Sequence, residues 1–198
     1  MNRLYLTILL LTFSQIFAQS ISEINKNLNI SDTTRNEKEI RIYKWFNTTN
    51  GSELFRMYKN NNQIWVVELY QHYNPVKKED KPRFVKSELK SATDLNLVWL
   101  YILASDVEFL PNIDQVNYKF KSEAEFVLDR GEYEIFNKSK RPLDGTGYQV
   151  IFKDGKKSNN FRFGNYDTYL KNYPNVDELN SYSKLMNIIK TEFNIWNE

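Results

Sequence analysis

The stretch QIWVVELYQHY, residues 63 to 73, alternates along its length: Trp65, Val67, Leu69 and Tyr73 fall on one side, and Glu68, Tyr70 and His72 on the other. Successive side chains of a strand point to opposite faces, so this pattern predicts a half-buried β-strand with one polar side. The preceding ELFRMYK, joined to it through Asn60, Asn61 and Asn62, predicts a hairpin, because Asn tolerates the positive φ of tight turns. EIRIYKWF upstream and RFVKSELK downstream extend the hairpin to a four-stranded meander. Between them, NPVKKEDKP at residues 74 to 82 is charged and bounded by prolines, which marks an exposed loop.

The next pattern is a block. From Leu95 to Leu103 every residue but Asn96 is apolar. That is far short of the roughly 20 residues of a membrane span, so the segment is expected to be buried in protein. Thr93 or Asp94 as N-cap and the scarcity of β-branched residues predict a helix through Ala104, and Pro111 ends the segment after it. Alternation returns with Tyr133 and Ile135, then Tyr148, Val150 and Phe152, then Phe161 and Phe163. LDGTG and KDGKKSNN supply the turns of a second antiparallel meander. Finally Leu179, Tyr182, Leu185, Met186, Ile189, Phe193 and Trp196 recur at spacings of three and four, an apolar stripe on one long helix. Asp177 and Glu178 near its start suit the positive end of the helix dipole.

The order strands, helix, strands, helix predicts an α+β fold over residues 39 to 198. It comprises two antiparallel β-meanders, a buried central helix and a long C-terminal amphipathic helix. LFRMYKNNNQIWVVEL and YQVIFKDGKKSNNFRF share alternation and little identity, which weighs against an internal duplication.

Residues 1 to 18, MNRLYLTILLLTFSQIFA, combine a basic start at Arg3, an apolar run from Leu4 to Leu11 and a small residue at Ala18. This reads as a signal peptide cleaved after Ala18, which would place the mature chain in the periplasm or outside the cell with no transmembrane anchor. Residues 19 to 38 are polar, with Ile21, Ile24, Leu28 and Ile30 as isolated apolar points, and predict a short loose helix or a partly disordered lead-in. Cleavage leaves about 180 residues, enough for one domain to bury its apolar surface without staples. The chain has no cysteine, so thiol catalysis, thiolate metal sites and disulfides are all excluded.

Its 27 basic and 25 acidic residues are interspersed, and the short basic clusters Lys77-Lys78 and Lys138 to Arg141 sit in predicted loops. No stripe for nucleic acid results. The one histidine, His72, stands roughly 13 Å along an extended strand from Glu68, too far for a direct hydrogen bond, and its polar-face position predicts a solvated ring. Ser-x-x-Lys occurs at Ser87 to Lys90, in a predicted strand where the spacing fails. It recurs at Ser181 to Lys184, on a helix but without the Ser-Asp-Asn and Lys-Thr-Gly companions of penicillin-recognising enzymes. Paired acids at Glu123 and Glu125, Glu132 and Glu134, and Asp177 and Glu178 read as solvated faces or a helix start. No phosphate loop or metal motif is present, and no cofactor or metal is implied.

Tyr166, Tyr169 and Tyr173, at i, i+3 and i+7, share one face of a short helix between Asn165 and Pro174. Such a face packs on a core or forms an aromatic platform. Trp99, Leu110-Pro111, the DGxGYQV run from Asp144, FRFGNYDTYLKNYP from Phe161 and the terminal amphipathic helix together resemble small secreted proteins of Gram-negative bacteria to which no activity is assigned. The resemblance spans about residues 95 to 195, implies an α+β secreted domain, and hands over no catalytic residues.

The expectation is therefore a non-enzymatic binding domain for a protein or envelope glycan. Its candidate contact residues are the aromatics off the core face, Tyr70 with His72 on the strand and Tyr166 and Tyr169 at the helix entry. The alternative is a carboxylate-based hydrolase acting on an envelope or extracellular substrate, with Glu68 and Glu88 as its acids.

Overall fold

The computed structural model describes residues 21–46, 49, 51–73, 81–140, 142 and 145–197. The predicted leader with its Ala18 site lies outside the described residues, as do 74–80 of the charged loop, Lys77 and Lys78 among them. Two compact units divide the chain between Thr33 and Thr34. In the first, residues Ile21–Asn27 form helix α1. Asn29 then turns the chain with φ 54°, and the Asp32 carboxylate accepts from the Ser22 hydroxyl at 2.7 Å and the Asn25 amide at 2.9 Å. Among the described residues no helix is long and apolar enough to cross a membrane.

The second unit mixes α and β. Strands β1 (Lys38–Phe46), β2 (Gly51–Lys59), β3 (Trp65–Tyr73) and β4 (Arg83–Glu88) come first, followed by helices α2 (Leu95–Leu103) and α3 (Ile113–Val116) and a 3₁₀ turn, Asn117–Phe120. Then come β5 (Glu125–Asp129), β6 (Glu132–Phe136), β7 (Thr146–Asp154), β8 (Lys157–Gly164), α4 (Tyr166–Asn172) and α5 (Asp177–Phe193). Six strands make one antiparallel sheet in the order β4-β3-β2-β1-β7-β8, and β5 pairs only with β6.

This corrects the predicted second meander. β7 and β8 join the first four strands through β1, and Tyr133 and Ile135 belong to β6 in the separate hairpin. The reason lies in the register, which sets Ile42 between Phe55 of β2 and Val150 of β7, and Ile40 between Met57 and Phe152. All six are buried. One continuous apolar face removes more surface from water than two small sheets would.

The β2–β3 turn also departs from expectation. Gln63, with φ 60°, takes the left-handed conformation. Asn60 works through its side chain, whose Oδ1 accepts from the backbone N–H groups of Asn62 and Ile64 at 3.0 Å each.

α5 covers the apolar face with Leu179, Tyr182, Leu185, Met186, Ile189 and Phe193. Tyr182 stacks on Phe163 at 4.6 Å between centroids and donates its hydroxyl to the Pro111 carbonyl at 2.6 Å, and Phe193 meets Phe55 at 5.1 Å. α2 starts from Asp94, whose carboxylate accepts from the N–H groups of Asn96 and Leu97. Its Val98, Trp99 and Ile102 are buried, while Leu97, Leu100 and Tyr101 are exposed. The apolar block expected to be buried is therefore buried along one stripe only.

Phe163 packs against Tyr148, Phe161, Tyr166 and Tyr182. Phe163→Ala is expected to lower stability by about 3–5 kcal/mol, and Tyr182→Phe, which removes one hydrogen bond and little volume, by about 1 kcal/mol. Urea unfolding measures both, and equal losses for the two variants would contradict this account of the core.

Candidate functional site

The sheet face turned away from α5 collects charge. The register sets Arg41 of β1 opposite Arg56 of β2, Arg56 opposite Glu68 of β3, and Tyr70 opposite Lys86 of β4. Two guanidiniums side by side repel, and Glu39 holds them: its Oε1 accepts from Arg41 Nε at 2.7 Å and Arg56 Nε at 2.8 Å, and its Oε2 from Asn36 Nδ2 at 2.8 Å. Glu68 continues the ladder, meeting Lys86 Nζ at 2.7 Å, the Tyr70 hydroxyl at 2.7 Å and Arg56 Nη1 at 3.7 Å. The Arg56 guanidinium also lies 4.0 Å from the centre of the Tyr58 ring.

Protonation follows from this geometry. Burial works against the Glu39 charge, but Arg56 and Arg41 outweigh it and hold the carboxyl below its usual value. Burial, reinforced by the hydrogen bond to Glu68, pushes the Tyr70 hydroxyl up to about 12, so it remains a donor at neutral pH. The Lys86 ammonium is raised by its bond to Glu68.

Tyr70 and His72 share this face, but both are buried, His72 at 1% exposure. The solvated ring expected of His72 is thus corrected. Alternation reports which face a residue takes, and β3 is an interior strand flanked by β2 and β4. Tyr166 is also buried, among Tyr148 and Phe163. Tyr169 is half-buried and stacks on Phe120 at 4.7 Å. Tyr173, 5.1 Å from Phe120, accepts the Lys140 N–H on its hydroxyl at 2.8 Å. The tyrosine face of α4 therefore packs. Asn165 precedes it with φ 49° and no side-chain cap bond; its Oδ1 accepts from the Thr146 N–H and ties the helix entry to β7.

Two of the candidate catalytic groups, Glu68 and Lys184, are otherwise engaged. Glu68 and Glu88 stand opposite each other in the β3–β4 register, but Glu68 is occupied by Lys86 and Tyr70, and Glu88 is exposed. Lys184 donates to the Ala104 carbonyl at the end of α2 rather than serving Ser181. Among the described residues no three His, Cys, Asp or Glu side chains stand close enough to hold a metal ion. A shallow depression of about 550 Å³ is lined by Asn112, Asp114, Gln149, Asn160 and Arg162. There Arg162 donates to Gln149, and Gln149 to Asn160.

The β5–β6 hairpin is different. Arg130 and Gly131, with φ 49° and 90°, form its two-residue turn. Ser122 and Lys138 close its base: the Ser122 N–H donates to the Lys138 carbonyl at 2.7 Å, and the Lys138 N–H to the Ser122 hydroxyl at 2.9 Å. Pairing sets Phe126 opposite Ile135 and Leu128 opposite Tyr133, so these four share one face. They are 73%, 67%, 59% and 79% exposed, in that order. The other face carries Glu125, Asp129, Glu132 and Glu134 with Val127 and Phe136. Large apolar side chains so exposed and so contiguous form a patch of the kind that marks an interaction site. Sequence reasoning missed it as a unit. Its signals were the alternation in EFVLD and EYEIF and the Asp-Arg-Gly between them.

No family model, curated protein or solved structure matches the chain.

Glu39→Gln leaves Arg41 and Arg56 without their shared counter-charge and is expected to lower stability by about 3 kcal/mol near neutral pH. The folded Glu39 carboxyl titrates below its usual 4.5. Its stabilisation is therefore present above that pH and lost as pH falls through the folded value, and wild type and variant converge in acid. Urea midpoints across that range measure the gap; a gap independent of pH would refute the assignment.

Proposed function

We propose that the protein is a non-enzymatic interaction domain that docks a macromolecule on the apolar face of the β5–β6 hairpin. The carrying observation is the cluster of Phe126, Leu128, Tyr133 and Ile135, large side chains on one face of a hairpin and all more than half exposed. A lone two-stranded hairpin is marginal in water, and an uncovered apolar face makes it more so. Both features are explained by a partner that covers the face. Leu128 and Ile135 offer a sugar neither a flat ring nor a hydrogen bond, so the composition favours a protein over a glycan.

Export through the leader ending at Ala18 belongs to this reading, and so does the likeness to small secreted Gram-negative proteins. The hydrolase alternative draws less support, because Glu68 is held by Lys86 and Tyr70 in the charge ladder. Tyr70, His72 and Tyr166 expose little ring surface for a ligand.

The chain's lack of cysteine supplies the test. A thiol introduced as Leu128→Cys on the docking face should react with a maleimide at least tenfold more slowly in concentrated envelope extract than in dilute buffer. Lys156→Cys, on the exposed β7–β8 turn, should not change. Equal rates for Leu128→Cys in both media would show that nothing covers the face.

A further inference from the structure

We infer that the depression beside α3 and β8, lined by Asn112, Asp114, Gln115, Gln149, Asn160 and Arg162, binds a carboxylate flanked by hydroxyl groups, the chemistry of a uronic acid. This site is independent of the hairpin.

The direction of every hydrogen bond in the depression is forced. An N–H can only donate, so an amide side chain that meets one must present its oxygen. The Arg162 backbone N–H meets Asn112 Oδ1 at 2.8 Å, Arg162 Nε meets Gln149 Oε1 at 2.7 Å, and the Asn112 N–H meets Gln115 Oε1 at 2.8 Å. With its oxygen so fixed, Gln149 turns its NH2 group to Asn160, whose Oδ1 accepts at 2.8 Å. Gln149 is 7% exposed and engaged at both ends. Asn112, Gln115 and Asn160 have their oxygens engaged, and their NH2 groups donate to no described residue.

Arg162 adds two further donors. Its Nε is held by Gln149, which leaves the Nη1 and Nη2 edge of the guanidinium pointing end-on to a ligand. Ion pairs among the described residues engage Arg41, Arg56 and Arg130 but not Arg162. Three amide NH2 groups and a two-pronged cation therefore converge on a volume of about 550 Å³, within the usual range of small-molecule sites. A surface so rich in donors matches an oxyanion, and the fork matches the planar pair of oxygens of a carboxylate.

Asp114 narrows the class further. Its Oδ1 accepts from Asn117 Nδ2 at 3.2 Å, and it lines the same depression. Its negative charge disfavours a phosphate dianion more than a singly charged carboxylate. Its second oxygen supplies an acceptor for a hydroxyl beside that carboxylate.

Titrations of the purified chain, followed by the side-chain amide and guanidinium signals in proton–nitrogen correlation spectra, test the inference. Millimolar galacturonate should shift the NH2 signals of Asn112, Gln115 and Asn160 and the Nε–H of Arg162 saturably. Galactose, its neutral counterpart, and inorganic phosphate should each bind at least tenfold more weakly, and Asp114→Asn should narrow the gap for phosphate. Asn160→Asp keeps the oxygen that Gln149 needs and replaces the free NH2 with charge, so it should weaken galacturonate at least tenfold without lowering the urea midpoint. Arg162→Lys, which keeps the charge and loses the fork, should weaken it as well. Tighter binding of trigalacturonate than of the monomer would assign the carboxylate to a glycan chain, and equal binding to a free hydroxy acid. An absence of saturable shifts, galactose binding as well as galacturonate, or an Asn160→Asp variant that binds as the wild type does would each overturn the inference. Phosphate binding as tightly as galacturonate would overturn the choice of a carboxylate.

Discussion

Glu39 is a fully buried carboxylate on β1, the strand through which both halves of the sheet are joined. Withdrawing such a charge from water is destabilising by several kcal/mol unless it is met in place. It is met by Arg41, two residues along the same face, and by Arg56 across the β1–β2 pair. A one-residue slip between these strands would carry Arg56 to the helix side and strand the carboxylate. The same register sets Ile40 and Ile42 against their neighbours beneath α5. Charge on one face of β1 thus specifies the alignment that the apolar face needs, and the long helix packs on a surface whose geometry is already fixed.

Local periodicity made faces legible. Alternation alone separates Trp65, Val67 and Leu69 from Glu68, Tyr70 and His72, and the stripe from Leu179 to Phe193 and the cap at Asp94 are readable in the same way. Neighbours were not legible. Tyr133 and Ile135 alternate as Tyr148 and Val150 do, yet the first pair stands on an isolated hairpin and the second in the main sheet. Nothing within a strand reports a partner more than a hundred residues away, as β1 and β7 are for each other. Depth was hidden too. A polar position such as His72 is placed on a face by period two, but its burial depends on how far inside the sheet its strand lies.

The molecule treats its strand edges in two ways. β4 is exposed along its whole length, and Arg83 and Lys86 give it the charge that discourages an added strand. The β5–β6 hairpin is apolar on one side, and on the other mixes Glu125, Asp129, Glu132 and Glu134 with Val127 and Phe136. Under the docking reading, the acids behind that face discourage the unlimited pairing that a long flat edge invites.

The pairing of β1 with β7 has a kinetic side. Residues 38 to 46 pair with β2 nearby but find their second partner only at 146 to 154, and the shared apolar face is closed by a helix ending at Phe193. Contacts of such long range are slow to form, because loop closure must precede the gain from burial. During synthesis the first four strands can pair with one another, but they emerge with their apolar side uncovered by the last helix. The apolar face is therefore closed only when nearly all of the chain has been made, so the last segment synthesised decides whether the first strands are covered.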